Sequence, residues 1–158
     1  MEGVRHFSLQ SRAAKSGLVP SPNPVSILLV EDNPADAGLV RKALEEHGVE
    51  GDLIVIADGE KAIEFIHSIE AQGTPCPDLA IIDLNLPKKP GREVLRQMRV
   101  SQVCRHIPVV ILSSSDAARD RADAVQFGAS QYLRKPSRLE EFLRLGAIFK
   151  AALPNRGE

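Results

Sequence analysis

Tryptophan is absent from this sequence, and tyrosine, cysteine and methionine are scarce, with one, two and two copies in 158 residues. The two cysteines, Cys76 and Cys104, stand far apart and in neither a Cys-x-x-Cys nor a Cys/His spacing, so a zinc site or a disulfide framework has little support. A reduced, cytoplasmic protein is the expectation. No apolar run reaches the ~20 residues that a membrane helix needs, and the N-terminus lacks the continuous apolar core of a signal peptide. Neither sign of charge dominates: 20 Lys and Arg face 21 Asp and Glu, and a net charge of −1 advertises no basic face for nucleic acid. Glycine-based phosphate cradles are missing too, with no Walker A run and no G-x-G-x-x-G after the first strand candidate. His6, His47, His67 and His106 show no paired metal spacing.

What is present suits one soluble α/β domain. Hydrophobic residues make up 43% and charged residues 26%, and the length allows a substantial single core. Residues 1–24 carry scattered basic residues, serines and the run PSPNP without periodicity, and read as an unstructured extension. The domain is expected over 25–153, followed by a short tail, 154–158, too short for an output domain. Within it, SILLV, DLIVIA, LAIID, PVVILS and QYLR are strand candidates. Between them lie helical faces: Leu39, Val40, Ala43 and Leu44; Ala62, Phe65, Ile66 and Ile69; Val94, Leu95 and Met98; and a thinner one of Ala118, Ala122 and Val125. A last helix is expected to open on a capping box of Ser137 and Glu140 and to stop before Pro154. It carries two apolar rows, Leu139, Phe142, Gly146 and Phe149 beside Leu145, Ile148 and Ala152, which suit either a wide buried stripe or a dimer contact.

Five strands alternating with helices imply a mostly parallel sheet covered on both faces, with a site at the strands' carboxyl ends. The residues that follow the strands then gather at one edge: Glu31 and Asp32 after the first, Asp83 after the third, Ser113 at the end of the fourth and Lys135 after the fifth. Each alone has an ordinary reading. EDNP can start a helix, with Asp32 or Asn33 as cap and Pro34 at its first position; SSS can be a polar turn before Asp116 as cap; KP can end a strand. Their common position is what points to a site. Carboxylates held together repel and raise a pKa unless a cation is present, which implies a divalent metal, and magnesium suits an all-oxygen donor set with a phosphoryl group. Asp83 can then act as a carboxylate nucleophile toward phosphorus, with Lys135 and Ser113 holding the phosphoryl oxygens.

The motifs ILLVEDNPAD, PDLAIIDLNLPKKPGREVL, IPVVILSSS and GASQYLRKP resemble the receiver domain of two-component response regulators, over about Ile27 to Leu153. The resemblance implies a flavodoxin-like fold with strand order 2-1-3-4-5, and Asp83 as the acceptor of phosphate from a histidine kinase. Glu31, Asp32, Asp83 and the Asn85 main-chain carbonyl would hold Mg2+, and Lys135 and Ser113 would bind the phosphoryl group. The resemblance further implies a cis Lys135–Pro136 bond, and a switch through Ser113 and Tyr132 that alters the surface of the fourth helix, fifth strand and fifth helix. An ordinary half-buried strand tyrosine is the other reading of Tyr132. The wording of DNPAD, LNLPK and SSS is similar to stand-alone regulators that partner phytochrome-type sensor kinases, many of which dimerise through their last helices.

Two positions depart from the family pattern. Pro90 stands before Gly91 where many receivers have Asp, which removes an acid and a backbone donor and restricts Lys89 to extended shapes. Ser114 occupies a position where many receivers have Ala or Gly. Two other functions compete. A haloacid-dehalogenase-type phosphatase would need a second Asp two residues after Asp83, where Asn85 stands. A scaffold that works without phosphorylation would have no use for so costly a charge cluster. Chemistry that turns over many substrates is not expected.

Overall fold

A computed structural model describes residues 3–10 and 24–154. The strands are β1 (Val4–Leu9), β2 (Val25–Val30), β3 (Gly51–Ile56), β4 (Leu79–Ile82), β5 (Val109–Ser113) and β6 (Gln131–Arg134). The helices are α1 (Pro34–Glu46), α2 (Gly59–Gln72), α3 (Gly91–Val100), α4 (Ala118–Gln126) and α5 (Leu139–Ala152). The sheet runs β1-β3-β2-β4-β5-β6, and all pairs are parallel except β1 with β3. From β2 onward this is the expected 2-1-3-4-5 order of an α/β flavodoxin-like fold.

β1 corrects the reading of residues 1–24 as unstructured, because Val4–Leu9 pairs along its whole length with β3. Its alternation is short, and only Leu9 is buried, so the apolar signal was weak. The pairing covers an edge whose backbone groups would otherwise face water. Residues 11–23 and 155–158, parts of the expected extension and tail, lie outside the described residues.

The central strands read as continuous apolar runs because both their faces are covered. On one face Leu28, Val30, Ile54, Ala80, Ile82 and Ile111 pack against α2 and α3 through Ala62, Ile66, Val94, Leu95 and Met98. On the other Ile27, Leu29, Leu53, Ile81 and Val110 meet α1 and α5 through Val40, Leu44, Phe142 and Phe149. Gly146 lets α5 lie against α1, since a Cβ there would strike the Ala43 carbonyl and the His47 ring. Of the apolar rows of α5, Phe142, Leu145 and Phe149 are buried and Ile148 partly so, whereas Leu139, in the row of Phe142 and Phe149, is 52% exposed.

Several local expectations fail on packing grounds. Of α4 only Ala124 is buried; Ala118, Ala122 and Val125 face outward, because this short helix rests on α3 and β6 along another face. Its N-cap is Ala117 and not Asp116, whose carboxylate is drawn to Arg134 at 3.1 Å. α5 starts at Leu139 after an N-cap Arg138 without a side-chain cap bond, so Ser137 and Glu140 form no capping box. Asn33 does cap α1, accepting from the Ala35 and Asp36 N–H groups. No peptide bond among the described residues is cis, so Lys135–Pro136 is trans, the isomer that X–Pro bonds favour by about 0.5–1 kcal/mol. No helix among the described residues is long and apolar enough to cross a membrane.

Cys76 and Cys104 form a disulfide, against expectation, although 28 positions separate them. α2 and α3 lie side by side, so the loops that follow them meet, and Ser101 Oγ at the end of α3 donates to Glu70 of α2 at 2.6 Å. Constraining a loop of 28 residues removes about 3–4 kcal/mol of unfolded-state entropy by the chain-entropy relation. Reductant is therefore expected to lower the thermal midpoint by roughly 10 °C. The Cys76→Ser/Cys104→Ser variant should melt at the lower temperature with or without reductant, as a thermal scan under both conditions would read.

Candidate functional site

Strand register assembles the site. Val30 pairs with Ile82 across the parallel β2–β4 ladder, so the next residue on each strand, Glu31 and Asp83, emerge side by side. The ladder continues past the strand ends through Glu31 N–H to the Ile56 carbonyl and Asp83 N–H to the Val30 carbonyl, each at 3.0 Å. On the other side Ser113 pairs with Arg134, and Lys135 N–H donates to the Ser113 carbonyl at 2.7 Å. The main chain thus fixes Glu31, Asp83, Ser113 and Lys135 before any side chain is placed.

Glu31, Asp32 and Asp83 each offer a carboxylate oxygen, and these oxygens lie within 4.8 Å of one another. Glu31 and Asp83 are buried, and Asp32 is exposed. Lys135 Nζ crosses the group, 2.7 Å from Glu31 Oε1, 3.0 Å from Asp83 Oδ2 and 2.9 Å from Asp36 Oδ2. Asp83 Oδ1 accepts from the Asn85 N–H at 3.1 Å, so both oxygens of this carboxylate are fixed. Glu31 Oε2 likewise accepts from the Asn33 N–H at 3.2 Å.

Charge balance follows from burial. Burial raises Glu31 to about 7, helped by the neighbouring Asp83 charge and opposed by the hydrogen bond from Lys135. For Lys135, burial alone would lower the pKa, but hydrogen bonds to Glu31, Asp36 and Asp83 outweigh it and hold the ammonium above its usual range. Closely spaced, all-oxygen donors of this kind fit a hard divalent cation such as magnesium, with Glu31, Asp32 and Asp83 as candidate ligands.

The loop after β4 depends on two close approaches. A Cβ at Gly91 would strike the Asp83 carbonyl, and one at Gly59 would strike the Lys89 carbonyl. Gly91 N–H donates to the Leu84 carbonyl at 2.9 Å, Gly59 N–H to Pro87 at 3.2 Å, and Lys88 takes a left-handed φ of 69°. Pro90, the departure from the family pattern, caps α3 in extended conformation with no side-chain bond.

Ser113 is fully buried at the end of β5, and its Oγ accepts from the Ser115 N–H at 3.2 Å instead of touching the carboxylates. Ser114, the other departure, is exposed. Half-buried Tyr132 donates from its hydroxyl to the Ser115 carbonyl at 2.7 Å, with the Arg121 guanidinium 4.7 Å from its ring centre. Ser115 Oγ in turn donates to Asp120 at 2.6 Å in the first turn of α4. The structure thus places the expected Glu31, Asp32, Asp83 and Lys135 together, with Asn85 joined to Asp83 through its N–H, and Ser113 and Tyr132 nearby. Sequence reasoning missed Asp36 and Ser115. Asp36 lies in the first turn of α1, a position whose only signal was an acid two residues into a helix.

Two consequences are measurable. Gly91→Ala should shift the Asp83 main chain and weaken any divalent-cation binding at the cluster about tenfold or more, as supporting positions around metal ligands commonly do, read by calorimetric titration. Glu31 has a folded pKa above its unfolded value of 4.5, so its contribution to stability is complete below about 4.5 and is lost as pH rises through about 7. Cation binding requires the carboxylate, so the affinity for a divalent cation at this cluster should rise with pH up to about 7 and level off above it. Titrations between about pH 5.5 and 8.5 would show this, and Glu31→Gln should remove that inflection.

Known proteins share both sequence and fold with this chain. The sequence pattern of the response regulator receiver domain matches residues 27–145. Response regulator Rcp1 of Synechocystis sp. is 37% identical over 123 residues, covering 77% of this chain and 84% of Rcp1. The crystal structure of Rcp1 in its Mn2+-bound form superposes with a TM-score of 0.74 at 34% identity, covering 84% of this chain and all of that one. The phosphorylated cyanobacterial phytochrome response regulator RcpA gives 0.75 at 31% identity, with the same coverage. With the matching fold and the strand-end cluster, this chain belongs to the response regulator receiver family of two-component signalling.

Proposed function

We propose that the chain accepts a phosphoryl group on Asp83 from the phosphohistidine of a sensor histidine kinase, in a Mg2+-dependent reaction. The observation that carries this reading is Lys135 Nζ at 3.0 Å from an oxygen of Asp83, whose carboxylate also lies within 4.8 Å of Glu31 and Asp32. In the transfer an Asp83 oxygen forms the new P–O bond while the P–N bond to the kinase imidazole breaks, and the imidazole nitrogen leaves with the electron pair. The product is an acyl phosphate.

Each residue has a physical task. The Asn85 N–H and Lys135 fix the two Asp83 oxygens and hold the carboxylate in one orientation. Lys135 then pairs with phosphoryl oxygens, as an always-charged donor already at the site. Glu31, Asp32, Asp83 and the main-chain carbonyl of Asn85 would hold Mg2+, which supplies positive charge against the phosphoryl oxygens. The metal in the Rcp1 structure supports a divalent-cation site of this kind.

Phosphorylation would draw the Ser113 hydroxyl toward the new oxygens and away from the Ser115 N–H. Ser115 also carries the bonds to Tyr132 and Asp120, so the disturbance reaches α4 and β6. The α4–β6–α5 surface is thus the output face, in a switch between two conformations of similar energy. The phytochrome response regulators among its relatives point to a phytochrome-type sensor kinase as the donor.

Intact-mass spectrometry with Mg2+ and acetyl phosphate tests the reading. A single phosphate adduct is expected on the wild type, and none after chelation or in Asp83→Asn. Lys135→Met should slow uptake by about 100-fold, the typical cost of losing one preorganised charge donor. An unchanged adduct on Asp83→Asn would overturn the assignment.

A further inference from the structure

Pairing β1 with β3 extends the sheet beyond the cover of α1 and leaves a cleft of about 390 Å3 between strand and helix. Its volume lies within the range of about 300–1,000 Å3 usual for small-molecule sites. The floor is apolar, from Leu53 and Val55 on β3, with Phe7 of β1 at one wall. α1 contributes only small residues at the opposing wall, Ala37 and Gly38, and a Cβ built on Gly38 meets nothing within 4 Å. The open space is therefore a consequence of side chains that stop short.

Two arginines face this space, Arg5 from β1 and Arg41 from α1, and neither has a carboxylate partner among the described residues. The Arg41 guanidinium is held in place by the Phe7 ring, 4.9 Å away, and by one bond from Nη2 to the Ser8 carbonyl at 3.3 Å. Its buried Nε has no acceptor, so most of its hydrogen-bonding capacity is unused. A pre-positioned guanidinium beside an apolar floor is a receptor for an anion with a flat apolar body. At the far end the cleft is bordered by Glu31 and Asp32, which in the cation-free chain repel a second negative charge and turn the anionic end toward the arginines.

We propose that this cleft binds a small aromatic monocarboxylate, with the carboxylate on Arg41 and Arg5 and the ring over Leu53 and Val55. The cleft shares Glu31 and Asp32 with the candidate cation site, but its arginines and apolar floor are distinct from the phosphoacceptor, so the proposal stands whether or not Asp83 is phosphorylated.

Titration of the 15N-labelled full chain with phenylacetate, followed by amide chemical shifts, tests it against the uncharged analogue phenylacetamide. Saturable shifts at Phe7, Gly38, Arg41 and Val55 are expected with phenylacetate, with a dissociation constant below about 1 mM. Phenylacetamide should bind at least about fivefold more weakly, as the loss of a charge-assisted pair requires. Gly38→Leu replaces a helix-interior glycine by a better helix former and fills the space, so it should fold and lose the saturable shifts. Arg41→Met keeps an apolar chain over Phe7 and should narrow the preference for the acid over the amide to what Arg5 alone supplies. Absent saturable shifts, equal binding of acid and amide by the wild type, or undiminished binding by a folded Gly38→Leu would overturn the proposal.

Discussion

One ammonium group holds the end of this sheet together. Lys135 Nζ lies within 3.0 Å of oxygens from Glu31, Asp36 and Asp83, which come from the end of β2, the first turn of α1 and the end of β4. Buried carboxylates so close would repel strongly in a medium of low dielectric, and the lysine makes their proximity tolerable. It does so without neutralising them all. The residual negative charge, with Asp32 at the exposed side, is what fits the same residues to the divalent-cation role proposed for them. Structural stability and readiness to bind metal are thus two results of one arrangement.

The arrangement depends on backbone register more than on side-chain packing. A slip of one residue between β2 and β4 would separate Glu31 from Asp83 and turn one of them away, because successive side chains on a strand point to opposite faces. Gly59 and Gly91 extend the same logic to the loop beyond β4, each admitting a carbonyl where a Cβ would stand. Lys88, in the left-handed region at a cost of order 1 kcal/mol, completes the turn. Pro90 spares this geometry because α3 needs no side-chain cap there, and Gly91 still reaches Leu84. The loop's shape is therefore carried by glycines and main-chain bonds.

Much of this was legible in the chain. Apolar runs ending in Glu31, Asp83, Ser113 and Lys135 marked the strand ends, and a parallel sheet necessarily collects such ends at one edge. β1 was hard to read because only Leu9 of that strand is buried, and its partner is distant in sequence. The face of α4 was misread because Ala118, Ala122 and Val125 have helical spacing while the neighbours of α4 cover only Ala124. Caps at Asp116 and Ser137 failed for a similar reason: Arg134 takes the first, and α5 begins after Arg138 without a side-chain cap.

The identities and order of the residues determined the fold class and the candidate phosphoacceptor cluster, since hydrophobic period and strand-end chemistry are local properties written along the chain; the central strand order followed from the resemblance to receiver domains, not from periodicity. The tertiary structure decided which distant groups meet. It joined Cys76 to Cys104, gave Asp36 a share of Lys135, and opened a cleft beneath Phe7 and Arg41. Such contacts depend on how helices rest on the sheet and on distances of a few ångströms between elements far apart in sequence. Neither is encoded in the spacing of the residues themselves.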